Sequence, residues 1–131
     1  PALGPKDQHA QVQLFREGPL DKLLALVIPE APLEDVEIPE VGGLEAASYL
    51  FGKTLFQLLK AEAEATYEAL AEAGQRVYAL FLPEASPYAV GWLMQQLLWQ
   101  TAFLGELWEV NAFDQPGVEL GKVLTRKRLA G

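Results

Sequence analysis

With 131 residues, half of them hydrophobic, the chain is long enough for one core and too apolar to remain disordered. Eighteen acidic against ten basic residues leave a net charge of -8, which repels phosphate backbones and anionic lipid, so neither nucleic acid nor a membrane surface is expected as a partner. There is no cysteine and a single histidine, His9, which excludes disulfides, thiolate chemistry and a multi-histidine metal site.

The first five residues hold no basic stretch followed by an apolar run, so no export signal is read there, and the missing initiator methionine leads us to expect a mature or cut chain. A helix is expected over residues 7–17, between Gly4-Pro5 and Gly18-Pro19, with Asp7 as its N-cap. The unbroken apolar run over residues 23–28 predicts a strand buried on both faces, as in a parallel sheet. Residues 29–43 carry Pro29, Pro32 and Pro39 among Glu30, Glu34, Asp35, Glu37 and Glu40, the composition of an exposed loop.

One long helix is expected over residues 44–73, with Leu50, Leu55, Leu58, Leu59, Ala63, Tyr67 and Leu70 at helical spacing and Gly74 as its stop. Residues 77–82 read as a second buried strand. Strand, crossover helix and strand make a βαβ unit, so the two strands should be parallel. A second long helix is expected over residues 86–110, capped by Ser86 and opened by Pro87. No charged residue occurs from Tyr88 to Gly105, which raises the question of a membrane span. Gln95, Gln96, Gln100 and Thr101 would then face lipid, so a helix buried between subunits or domains is the better expectation. A last helix follows over residues 115–129, where Arg126, Lys127 and Arg128 complement the helix dipole. The pattern is α/β, but two strands make an incomplete sheet. Either further strands lie upstream in a longer chain, or some here escape recognition.

Two segments carry chemistry-bearing side chains. In the first, Gly4-Pro5-Lys6-Asp7-Gln8-His9, the imidazole can donate from one nitrogen and accept at the other, which suits proton transfer to a sugar oxygen. An ordinary helix start with an incidental histidine explains the same residues. In the second, residues 111–122, backbone N–H groups, the Gln115 amide and the Lys122 ammonium would converge on an anionic ligand. A helix start that binds nothing, capped by Asp114 with Pro116 in its first turn, accounts for that segment equally well.

These segments resemble the signature regions of the glucose-6-phosphate isomerase family. Phe113-Asp114-Gln115-Pro116-Gly117-Val118-Glu119, closely followed by Gly121-Lys122, is similar to the family's C-terminal motif, and Asp7-Gln8-His9 to its histidine segment. Gly52-Lys53-Thr54-Leu55 and the Ala-Glu-rich helix between them are also similar, so the resemblance spans nearly the whole chain. Ala65 and Gln100 depart from the glycine and glutamate of many relatives.

The resemblance implies part of a parallel-sheet sugar-isomerase (SIS-type) sandwich with flanking long helices. Residues 1–131 would form the C-terminal segment of a larger isomerase: part of the second sugar-isomerase domain plus C-terminal helices. It implies interconversion of glucose 6-phosphate and fructose 6-phosphate by ring opening and cis-enediol proton transfer, without metal or cofactor. His9 and Lys122 match the ring-opening residues and Gln115 a glutamine near the substrate. The family's catalytic glutamate and phosphate cradle lie in upstream motifs that are missing here, and Glu119 is not a substitute for that base. The implied partners are a sugar phosphate, the remainder of the enzyme and a second copy in a homodimer, whose interface the histidine crosses, in the cytoplasm. A non-catalytic sugar-phosphate-binding or oligomerisation module on the same scaffold is the alternative.

Overall fold

The computed structural model describes residues 2–131 and divides the chain into two compact units, Pro1–Ala89 and Val90–Gly131. In the first unit, α1 (Gly4–Glu17) leads to β1 (Leu23–Pro29), a short 3-10 helix (Glu45–Leu50), α2 (Leu55–Glu72) and β2 (Arg76–Leu82). The strands pair in parallel, from Leu23 opposite Arg76 to Pro29 opposite Leu82, with α2 as the crossover. α2 packs on both strands, and α1 packs on α2. The chain is therefore α/β, with the βαβ unit that the apolar runs predict.

Four expectations about this unit need correction. α1 begins at Gly4, not Asp7, because Pro5 has no N–H to lose and sits in the first turn, where helical N–H groups are unpaired anyway. Asp7 is not the N-cap; from inside the first turn its Oδ2 accepts from the backbone N–H of Leu3 at 2.7 Å. The helix expected over residues 44–73 is two pieces. Gly52 turns the chain with φ of +71°, a region that favours glycine, and Thr54 restarts it with a capping box. The Thr54 hydroxyl accepts from Gln57 N–H at 3.1 Å, while Gln57 Oε1 accepts from Thr54 N–H at 3.0 Å. At the far end Gly74, at φ of +74°, lets Gly74 N–H reach Ala71 O and Gln75 N–H reach Leu70 O, which stops α2 as expected.

The fourth correction concerns burial. Leu23 and Phe81 are 67% and 55% exposed, so the strands are not covered on both faces by these residues. The buried apolar side chains are Ile28, Leu70, Leu82 and Ala89, all in the first unit. The acidic loop is exposed but stapled to the start of α2. Leu55 N–H reaches Val36 O, Ile38 N–H reaches Lys53 O, and Asp35 Oδ1 accepts from Val36 and Phe56 N–H at 2.9 and 3.0 Å.

α3 (Pro87–Leu107) starts where expected: Pro87 opens it, and Ser86 Oγ accepts from Ala89 N–H at 3.2 Å. It ends at Leu107, three residues short of expectation. Glu109 takes the left-handed conformation (φ 55°) that closes the end, with Glu109 N–H on Glu106 O and Val110 N–H on Gly105 O. α4 (Pro116–Leu129) follows, with Arg126, Lys127 and Arg128 in its last turn. Among the described residues no helix is long and apolar enough to cross a membrane.

Candidate functional site

His9 lies in the second turn of α1, one turn later than the sequence places it, because the helix starts earlier. Its side chain is exposed. The residue before it is anchored: Gln8 Nε2 donates to Thr66 Oγ1 on α2 at 2.7 Å. At the other end of α1, Gln75 Nε2 donates to Arg16 O at 3.1 Å. Gln75 Oε1 is buried with no partner among the described residues. α1, β1 and α2 border a largely apolar groove of about 720 Å³ whose lining includes Gln8, Val12, Phe15, Leu26 and Thr66. His9 is not among its lining residues.

Gln115 and Lys122 belong to the second unit. Gln115 is itself the N-cap of α4, with no side-chain cap bond, so the expectation that Asp114 caps this helix is wrong. Asp114 Oδ1 instead accepts from Gln115 N–H at 2.7 Å, one residue away. Pro116 holds the first helical position, which leaves the start of the helix with one donor fewer. Lys122 lies seven positions after Gln115, in the second turn of α4, while Gln115 stands at the end of the helix with non-helical backbone angles (φ -131°, ψ 63°). Glu119 lies between them in sequence and binds Lys122: Nζ donates to Oε1 at 2.6 Å.

That ion pair is open to water, with Lys122 55% and Glu119 61% exposed. Exposed pairs of this kind contribute little, about 0–1 kcal/mol, so the ammonium is readily transferred to a ligand oxygen. Chemically the start of α4 offers one amide and its second turn one cation, both suited to hydroxyl or anionic oxygens. His9 lies in the first unit, apart in sequence from this pair. Sequence spacing alone misses the Gln8–Thr66 tether, which joins residues 58 apart. The Glu119–Lys122 contact, by contrast, follows a helical i,i+3 spacing visible in the sequence.

Comparison with known proteins adds the wider frame. The chain is 98% identical over all 131 residues to a protein named glucose-6-phosphate isomerase from Thermus thermophilus, and covers 32% of that protein. It is 46% identical over 125 residues to one of the same name from Carboxydothermus hydrogenoformans, covering 27% of it. A crystal structure of a hypothetical protein from a second strain of Thermus thermophilus superposes on the whole chain with a TM-score of 0.94 at 97% identity, and the chain covers 32% of it. The chain thus spans about a third of the length of the relatives it matches. The family model described as phosphoglucose isomerase matches residues 45–130, most of the chain, and this chain belongs to that family.

Proposed function

We infer that this chain is the C-terminal segment of a glucose-6-phosphate isomerase and contributes its ring-opening residues. The observation that carries the reading is end-to-end similarity to proteins of that name, at 98% identity over the full 131 residues. The solvent-facing placement of His9, Gln115 and Lys122 on helices is compatible with it. The substrates are D-glucose 6-phosphate and D-fructose 6-phosphate. The base for the cis-enediol step and the phosphate cradle come from the longer protein, of which this chain supplies part of the second sugar-isomerase (SIS) domain and the C-terminal helices. No cofactor takes part.

Ring opening needs a proton delivered to the ring oxygen and another removed from the anomeric hydroxyl. The His9 imidazole has a donor and an acceptor nitrogen for such transfers, and the Lys122 ammonium donates to sugar oxygens while neutralising charge that develops on them. Gln115, at the start of α4, binds a substrate hydroxyl. The reading includes a homodimer in the cytoplasm, and the exposed Trp92, Trp99, Phe103 and Trp108 of the α3 region are apolar surface for the remainder of the enzyme or a second copy to cover.

The test uses a full-length isomerase in which these 131 residues replace the 98%-identical stretch of the Thermus relative. His9→Ala and Lys122→Met are expected to lower kcat/KM on cyclic glucose 6-phosphate by about 10²-fold or more, the scale of losing an acid–base group, and to cost much less on an open-chain substrate. Equal losses on both substrates would assign these residues to binding or to the enediol step.

A further inference from the structure

We propose that Thr66, acting through Gln8, is a positioning residue for His9; this rests on the ring-opening reading of His9. The Thr66 hydroxyl has one proton, and it donates that proton to the backbone carbonyl of Glu62, one turn earlier on α2, at 2.7 Å. Toward Gln8 the hydroxyl is therefore an acceptor, at 2.7 Å. This fixes which end of the Gln8 amide faces it: the NH₂ group, with the amide oxygen directed away. The chain from amide to hydroxyl to carbonyl is half-buried, and it locks the residue that immediately precedes His9.

The tether matters because α1 has little else to hold it. No residue of α1 is buried. Val12 and Phe15 are only half-covered, in the groove against α2 and β1. Among the described residues, the polar contacts that tie α1 to the rest of its unit are Gln8–Thr66 near the start and Gln75 to the Arg16 carbonyl near the end. Apolar contacts along a helix tolerate rotation and sliding, whereas a directional bond fixes both. With the end of α1 held by Gln75, the Thr66–Gln8 bond sets the rotation of the first two turns, and so the direction in which the imidazole projects. Proton transfer is steep in such placement: a displacement of about 1 Å can cost about 10²-fold.

The experiment again uses the full-length isomerase carrying these 131 residues, with cyclic and open-chain substrates compared for each variant. Thr66→Val keeps the shape and removes the acceptor, Gln8→Leu removes the donor from the exposed helix, and Thr66→Ser keeps the hydroxyl. Thr66→Val and Gln8→Leu are each expected to lower kcat on the cyclic substrate by about 10-fold, with KM and the open-chain rate within about 2-fold. Thr66→Ser is expected to restore the wild-type ratio. In a His9→Ala background, neither Thr66→Val nor Gln8→Leu should cost anything further on the cyclic substrate, because a positioning residue acts only through the group it positions. Equal losses on both substrates, or an undiminished loss in the His9→Ala background, would overturn the proposal. If His9→Ala lowers the cyclic-to-open ratio while Thr66→Val and Gln8→Leu leave it unchanged, the tether is structural and the ring-opening reading stands. If His9→Ala itself leaves that ratio unchanged, the ring-opening reading fails and the positioning role falls with it.

Discussion

The two units of this chain achieve order by different means. The first joins a parallel strand pair to two helices, and it contains the buried apolar side chains Ile28, Leu70, Leu82 and Ala89. Polar ties span long stretches of sequence within it: Gln8 to Thr66, Gln75 to Arg16, and Asp35 to Phe56. In the second unit Gly105 is the one buried residue among those described. Large side chains such as Phe103 and Trp108 are 65% and 68% exposed. Its order comes from helix-end geometry at Gly105, Glu109 and Gln115 and from local pairs such as Trp99 with Phe103. The first unit has the beginnings of a core. The second is a set of well-made helices whose apolar surface is left for something else to cover.

That contrast predicts where substitutions hurt in a polypeptide limited to these 131 residues. Leu70, 2% exposed, should be the costliest: Leu70→Ala should destabilise by about 2–5 kcal/mol in urea unfolding, against less than about 0.5 kcal/mol for Leu98→Ala, whose side chain is 64% exposed. Comparable losses at both positions would break the comparison. Gly105 comes next. A methyl group there would lie 2.8 Å from Ala112 Cβ and 2.9 Å from the Val110 carbonyl, so Gly105→Ala should cost about 1–3 kcal/mol. Gly91 meets nothing within 4 Å, and Gly91→Ala should stabilise by about 0.5–1 kcal/mol through helix propensity. The pair of thermal midpoints separates backbone fit from propensity within one helix.

In the first unit, Thr54→Ala removes half of the capping box and should cost about 1 kcal/mol, with helical signal lost at the start of α2. The smallest effect is electrostatic. Hydrogen bonds from the Thr54 hydroxyl and then from Phe56 and Val36 N–H hold the Asp35 carboxyl below its ordinary range. A depressed carboxyl contributes stability above its unfolded value, near pH 3.8, and loses it as pH falls through the lower folded value. Acid titration should therefore loosen the loop before α2 below about pH 4, and Asp35→Asn should flatten that part of the profile. An unchanged acid limb in the variant would contradict the clasp.

Most of the architecture is legible in the sequence because it is local. The apolar runs of β1 and β2, their parallel pairing across a helix, Ser86 and Pro87 at the start of α3 and Gly74 at the end of α2 all follow from residue chemistry over a few positions. The break at Gly52 is harder to see, since Glu45-Ala46-Ala47 before it and the Leu-, Ala- and Glu-rich stretch from Leu55 after it both favour a helix. Its signal is the Thr54-x-x-Gln57 capping box inside the apolar pattern. Burial misleads for another reason: an apolar run reports that a strand is covered in the finished protein, and Leu23 and Phe81 are not covered by these residues. At the candidate site, the resemblance names His9, Gln115 and Lys122. The Gln8–Thr66 tether is invisible to spacing because only the tertiary fold brings two residues 58 apart together.

The central claim is that this chain contributes ring-opening groups to an active site that it does not complete. A coupled assay for glucose 6-phosphate isomerisation tests it directly, run on the 131-residue polypeptide alone and on the same polypeptide co-expressed with the remaining part of the Thermus isomerase. On the proposed reading the base, worth about 10²–10⁴-fold, and the phosphate cradle come from the rest of the enzyme, so the polypeptide alone should give no turnover above background, while the co-expressed pair should recover activity that His9→Ala lowers. Robust turnover by the polypeptide alone would mean that the base lies within these residues and would contradict the account.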